Sequence, residues 1–164
     1  LLLVTDGGMV IRPTIEQKVD ILANAEAVAK GLGIEKPKVA VLAAIETVNP
    51  DMQETIDAAY LVKMSERGQL GDLIVDGPLA MDCVLSKASA KLKGIDTVMA
   101  EDADILLFPD IASGNISVKA LIYLAGAKVG GLIVGATAPI VLLSRSDSAE
   151  IKLVSIALAS VLNK

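Results

Sequence analysis

Residues 37–79, PKVAVLAAIETVNPDMQETIDAAYLVKMSERGQLGDLIVDGPL, decide the fold class. "PKVAVLAAI" is a short aliphatic, β-branched run and reads as a strand. "NPDMQETIDAAYLVKMSERGQ" follows as an amphipathic helix ending near Gly68. "DLIVDGPL" is short and apolar again, a strand running into a turn at Asp76, Gly77 and Pro78. Strand, long helix and strand in succession describe a parallel arrangement with helices on its faces.

The same alternation extends both ways. Upstream, "LLLVTD" (1–6) reads as a strand and "TIEQKVDILANAEAVAKGLG" (14–33) as a helix. Thr14 is its N-cap candidate, with Gln17 three residues later and glycines at the far end. Downstream, "AMDCVLSKASAKLKG" (80–94) is helical, "ADILLFPD" (103–110) a strand and "GNISVKALIYLAGA" (114–127) a helix. "KVGGLIVG" (128–135) and "PIVLL" (139–143) read as two further strands, and "SAEIKLVSIALASVLNK" (148–164) as a closing helix. The predicted order is β-α-β-α-β-α-β-α-β-β-α. Residues 1–164 form a single α/β unit with a mostly parallel sheet. The start in mid-strand, without Met, reads as a fragment of something longer.

Composition narrows the function. Hydrophobic residues make up 53% of the chain and aromatics 2%, so Val, Ile, Leu, Ala and Met must build the core, as in strands covered on both faces. The net charge is −5 and no basic cluster occurs, which argues against nucleic acid as a partner. The apolar start is too short for a signal peptide or a membrane span. One cysteine, Cys83, excludes an internal disulfide and fits a reducing, cytoplasmic compartment. There is no histidine, so acid–base chemistry falls to Asp, Glu, Lys, Cys or Tyr, and with one cysteine a zinc site is not expected. Cys83 reads as a core residue.

Ligands of open α/β sheets bind outside the carboxyl ends of the strands, and three such loops are polar here. Asp76 and Gly77 form either a plain turn or a ligand contact. Asp110 follows a strand, and Gly114-Asn115 opens the next helix, with Lys119 one turn on. That terminus is either an anion site or an N-cap Asn with a solvated Lys. The third is the turn in "IVLLSRSDSAEIK" (140–152). Ser148 suits an N-cap and Glu150 the first helical turn, whereas Arg145 opposes the helix dipole. An anion held by Arg145 would resolve that conflict, since Arg binds phosphate through two N–H groups. Neither a Walker loop nor a G-x-G-x-x-G fingerprint is present.

The segments "DGPLAMD", "PDIASGN", "VKAL", "AGAKVGG", "VGATAPIVLLSR" and "SAEIKL", with "VTDGGMVIRPTIEQK" before them, closely resemble the phosphate acetyl/butyryltransferase family in order and spacing. The butyryl branch is the nearer. The resemblance implies a two-domain, three-layer αβα fold related to isocitrate and isopropylmalate dehydrogenases, with the active site in the cleft and a dimeric or higher homo-oligomeric protein. It implies acyl-CoA and phosphate as substrates and no permanently bound cofactor. Ser144 and Arg145 match the family's active-site pair. Where the acetyl branch has its Asp base, Ile151 stands here, with Glu150 beside it and Asp147 a turn earlier as substitutes. Val118 replaces a Tyr usual in that branch. Family members are longer, and the part without a counterpart here is their N-terminal half. Residues 1–164 therefore resemble the second domain plus the C-terminal helix. The alternative to an enzyme is a non-catalytic half that binds phosphate or CoA, or only pairs with a partner.

Overall fold

A computed structural model describes residues 1–163. Its four strands are β1 (Leu3–Thr5), β2 (Lys38–Leu42), β3 (Ile74–Leu79) and β4 (Ile105–Leu107), all parallel, in the order β1-β4-β2-β3. Its helices are α1 (Ile15–Gly31), α2 (Gln53–Glu66), α3 (Met81–Leu85), α4 (Lys87–Leu92), α5 (Ile111–Ala125) and α6 (Ala149–Leu162).

The central strands are buried on both faces, and alternation along them sorts the core into two halves. Val39, Val41, Ile105 and Leu107 point to the side of α1 and α2, against Leu22, Ala25, Ala58 and Leu61. Ala40, Leu42, Leu106 and Phe108 point to the side of α3 and α4, against Cys83, Val84, Ala90 and Met99. The result is the expected α/β sandwich of three layers. α1 carries the chain from β1 across β4 to β2, and α2 moves one strand further to β3. α3 and α4 bring it back on the opposite face to β4.

Local signals explain most boundaries. Thr14 and Gln17 make the full reciprocal capping box of α1. Between α1 and α2 lies a buried ion pair, Lys18 Nζ to Asp57 Oδ2 at 2.6 Å, with Gln53 Nε2 donating to Asp57 Oδ1 at 2.8 Å. α6 meets α1 where Gly31 leaves room for Leu162. Ser155 is buried and accepts the amide of Gly131 at 2.9 Å.

Four expectations are corrected. Residues 128–135 and 139–143 are not strands; the two segments touch through one antiparallel bridge, Ile133 to Ile140. Their β-branched content suits a strand, but among the described residues no sheet edge pairs with them as a ladder. The helix over 80–94 is two short helices, because Ser86 turns extended and caps the amide of Ser89. Asp76, Gly77 and Pro78 lie inside β3 and not in a loop after it. β3 is an edge strand, where an irregular register opposite Ala40–Leu42 accommodates the Gly and Pro. Finally, Gly114-Asn115 does not open α5: the helix starts at Ile111 with Asp110 as its N-cap.

Candidate active site

The carboxyl ends of the parallel strands gather the loops that follow β1, β2 and β4. After β1, the Asp6 carboxylate accepts the amides of Gly8 at 2.8 Å, Met9 at 3.0 Å and Val10 at 2.8 Å, folding the loop around one side chain. This loop rests on the first turns of α5. The amide of Ile111 donates to Ile11 O at 3.1 Å, and Asn115 Nδ2 donates to Gly7 O at 3.0 Å. Gly114 is buried in the contact, and a Cβ there would lie 2.7 Å from Asp6 O. Backbone approach this close requires glycine.

Asp110 caps α5 by accepting the Ser113 amide at 2.8 Å. That hydrogen bond holds its carboxyl below the usual carboxylate range, and the nearby positive charge of Arg12 acts in the same direction. Lys119 is half-buried one turn beyond Asn115. Asp110, Gly114 and Asn115 therefore lie at the start of α5 by the β1 loop, with Lys119 one turn further along the helix. Asp76 and Gly77 belong elsewhere. The Asp76 carboxylate accepts from Thr97 Oγ1 and, at 2.8 Å, from the Gly77 amide, which ties the edge strand to the segment before β4.

After β2, Glu46 accepts Lys93 Nζ at 2.8 Å and the Cys83 thiol at 3.4 Å, while Lys93 also donates to Asp82 Oδ1 at 2.9 Å. The Lys93 hydrogen bonds lower the carboxyls of Glu46 and Asp82 and raise Lys93 itself, and burial pushes the Cys83 thiol up. Glu46, Asp82 and Cys83 bring their ligand atoms within 4.8 Å of one another, a grouping sequence spacing did not reveal. The Lys93 ammonium bonds both carboxylates and supplies the cation between them.

The Ser144–Ser148 turn is exposed except for the half-buried Asp147 and is closed by its own groups. Asp147 Oδ2 accepts the Ser144 amide at 2.8 Å, Ser144 Oγ lies 3.0 Å from Ser146 Oγ, and Ser148 caps α6 through the Ile151 amide at 3.3 Å. Arg145 has no ion-pair partner among the described residues. Glu150 pairs with Lys128 at 3.2 Å. Among the described residues no hydrogen bond joins this turn to the loops after β1, β2 and β4. Among the described residues, polar groups thus gather at the ends of β1 and β4, after β2, and ahead of α6. Arg12 and Asp6 escaped the sequence reading; the signal for Asp6 was the D-G-G directly after a strand, an Asx-type turn.

The family model for phosphate acetyl/butaryl transferases matches residues 1–160, and the chain belongs to that family. It is 54% identical over 159 residues to a protein of Bacillus subtilis named a probable phosphate butyryltransferase, covering 97% of this chain and 53% of that one. It is 52% identical over 160 residues to the phosphate acetyltransferase of Thermotoga maritima, covering 98% and 54%. The chain spans about half the length of these curated relatives. A branched-chain phosphotransacylase from Enterococcus faecalis superposes with a TM-score of 0.91 at 38% identity, over 99% of this chain and 60% of that one.

Proposed function

We propose that this chain carries the acyl-transfer site of a phosphate acyltransferase, in which acyl-CoA and phosphate exchange to give acyl phosphate and CoA. The family match over residues 1–160 carries the reading. Within it, Ser144-Arg145 stands on an exposed turn ahead of a capped helix, with the guanidinium unpaired among the described residues.

In one direction a phosphate oxygen attacks the thioester carbonyl; the C–O bond forms, the C–S bond breaks and the thiolate leaves. In the other, a carboxylate takes the CoA thiol proton and the thiolate attacks the acyl phosphate, expelling phosphate. Arg145 offsets the charge that develops on the carbonyl oxygen or phosphate, and Ser144 Oγ hydrogen-bonds the same region. The base is Asp147 or Glu150. Transfer is direct, because no histidine exists to activate Ser144 or Cys83, and Cys83 is fully buried with its thiol pushed up.

Asp110, Gly114, Asn115 and Lys119 form the substrate-facing wall on α5, and Asp76 and Gly77 lie on β3, the opposite edge strand of the sheet. Residues 1–164 correspond to the second domain and C-terminal helix of a two-domain enzyme, whose other domain supplies the opposite wall of the cleft. The protein works in the cytoplasm as a homodimer or larger assembly on short-chain acyl groups. Exposed Leu124 and Leu153, at 87% and 68%, support further cover over α5 and α6.

The test is phosphate-dependent CoA release from butyryl-CoA, by this chain, by a version extended at its N-terminus, and by Arg145→Ala variants of both. Loss of one electrostatic donor is expected to slow turnover by about 10²–10³-fold in a folded variant. Turnover by the extended form alone makes residues 1–164 half a site. Turnover by neither overturns the reading.

A further inference from the structure

We propose that Arg12 forms a second phosphate subsite at the carboxyl ends of β1 and β4, distinct from the anion position at Arg145. The inference rests on the acyltransferase reading and adds a residue that neither the motifs nor the family resemblance singled out.

Three observations place it. The first is topology. β1 and β4 are neighbours, yet the chain leaves β1 toward β2 and leaves β4 back toward β1, where α5 packs. Such a reversal lies at the carboxyl ends of the strands, the general location of ligands in open α/β sheets.

The second is rigidity. Three amides converge on Asp6, Ile11 O accepts the Ile111 amide, and Gly7 O accepts Asn115. Arg12 follows directly on this braced segment, so its backbone is fixed against the first turn of α5 while its side chain is exposed.

The third is the state of the guanidinium. Arg12 is close enough to Asp110 for its charge to be felt there, yet it makes no ion pair within 4.0 Å among the described residues. Asp110 is already committed to the Ser113 amide. The carboxylate therefore leaves the donors of Arg12 uncommitted. A planar fork with free N–H groups suits a phosphate oxyanion.

The ligand chemistry is a phosphate group, supplied either by inorganic phosphate or by the phosphates of CoA. Calorimetric titration of the parent chain, Arg12→Ala, Arg12→Lys and Arg145→Ala with inorganic phosphate and, separately, with CoA tests this. Arg12→Ala is expected to weaken one of the two about 10-fold or more, the equivalent of one charge-assisted contact. Arg12→Lys is expected to recover part of that loss, and the thermal midpoint is expected to stay unchanged because the side chain is exposed. Weakening confined to phosphate assigns the subsite to the reacting anion, and weakening confined to CoA assigns it to the phosphates of CoA. Parent-like binding of both ligands by Arg12→Ala overturns the subsite while leaving the acyltransferase reading intact. A parent chain that binds neither ligand overturns the subsite, and the acyltransferase reading then stands or falls on turnover by the extended form.

Discussion

Replacing Lys18 by Met is expected to cost far more stability than a single ion pair contributes. Lys18 is 3% exposed and Asp57 7%, so the pair lies out of water between α1 and α2. Without Lys18, Asp57 stays buried with Gln53 as its remaining side-chain donor. An uncompensated buried charge costs about 3–5 kcal/mol. In a chain of this length each kcal/mol moves the thermal midpoint by roughly 2–4 °C, so a fall of roughly 6–20 °C is expected. Asp57→Leu should behave alike, because it strands the ammonium. The double variant Lys18→Met, Asp57→Leu removes both charges and should sit within about 1 kcal/mol of the parent or above it. The assay is a double-mutant cycle by urea unfolding, with equal slopes required so that midpoints report stability. Single variants within about 0.5 kcal/mol of the parent, or a double variant as unstable as the sum of the singles, would refute the reasoning.

Two further outcomes concern the braced loop. Asp110→Ala removes the cap of α5 and should cost about 1 kcal/mol near neutral pH by chemical denaturation. The folded Asp110 carboxyl is lowered, chiefly by the Ser113 amide, so its contribution is full above the unfolded value. It is lost as pH falls through the lower folded value, and the gap between parent and variant should close in acid. Gly114→Ala puts a Cβ 2.7 Å from Asp6 O and 3.0 Å from Gly7 Cα, both backbone atoms. That clash should outweigh the helix propensity gained and cost about 1–3 kcal/mol in the same assay.

Where the sequence was legible, a local rule and the tertiary structure agreed. Thr14 and Gln17 announced α1, Ser148 announced α6, and the aliphatic run at 38–42 could only be a buried strand. Where it was not, the deciding partner lay far along the chain. Val129, Ile133, Ile140 and Val141 meet every strand preference, but periodicity records burial and says nothing of whether a sheet edge is free. Asp110 and Ser113 already held the cap pattern of α5, three residues apart, and the glycine further on drew attention from it. The Glu46–Lys93 and Lys18–Asp57 pairs join residues that no spacing rule connects. The candidate site divides the same way. The Ser-Arg turn was visible because it is contiguous, whereas Arg12 gains its setting from a helix that begins near residue 111.

The strand order also sets a schedule for synthesis. β1 leaves the ribosome before the other three strands, but its strand neighbour among the described residues is β4, through Leu3–Ile105, Val4–Leu106 and Thr5–Leu107. Until Leu107 has emerged, β1 has no ladder to join among the described strands, while β2 and β3 can already pair around α2. The β1 loop, braced against α5, is thus completed late, and a nascent chain stopped before β4 would have β2 and β3 able to pair while β1 is still loose.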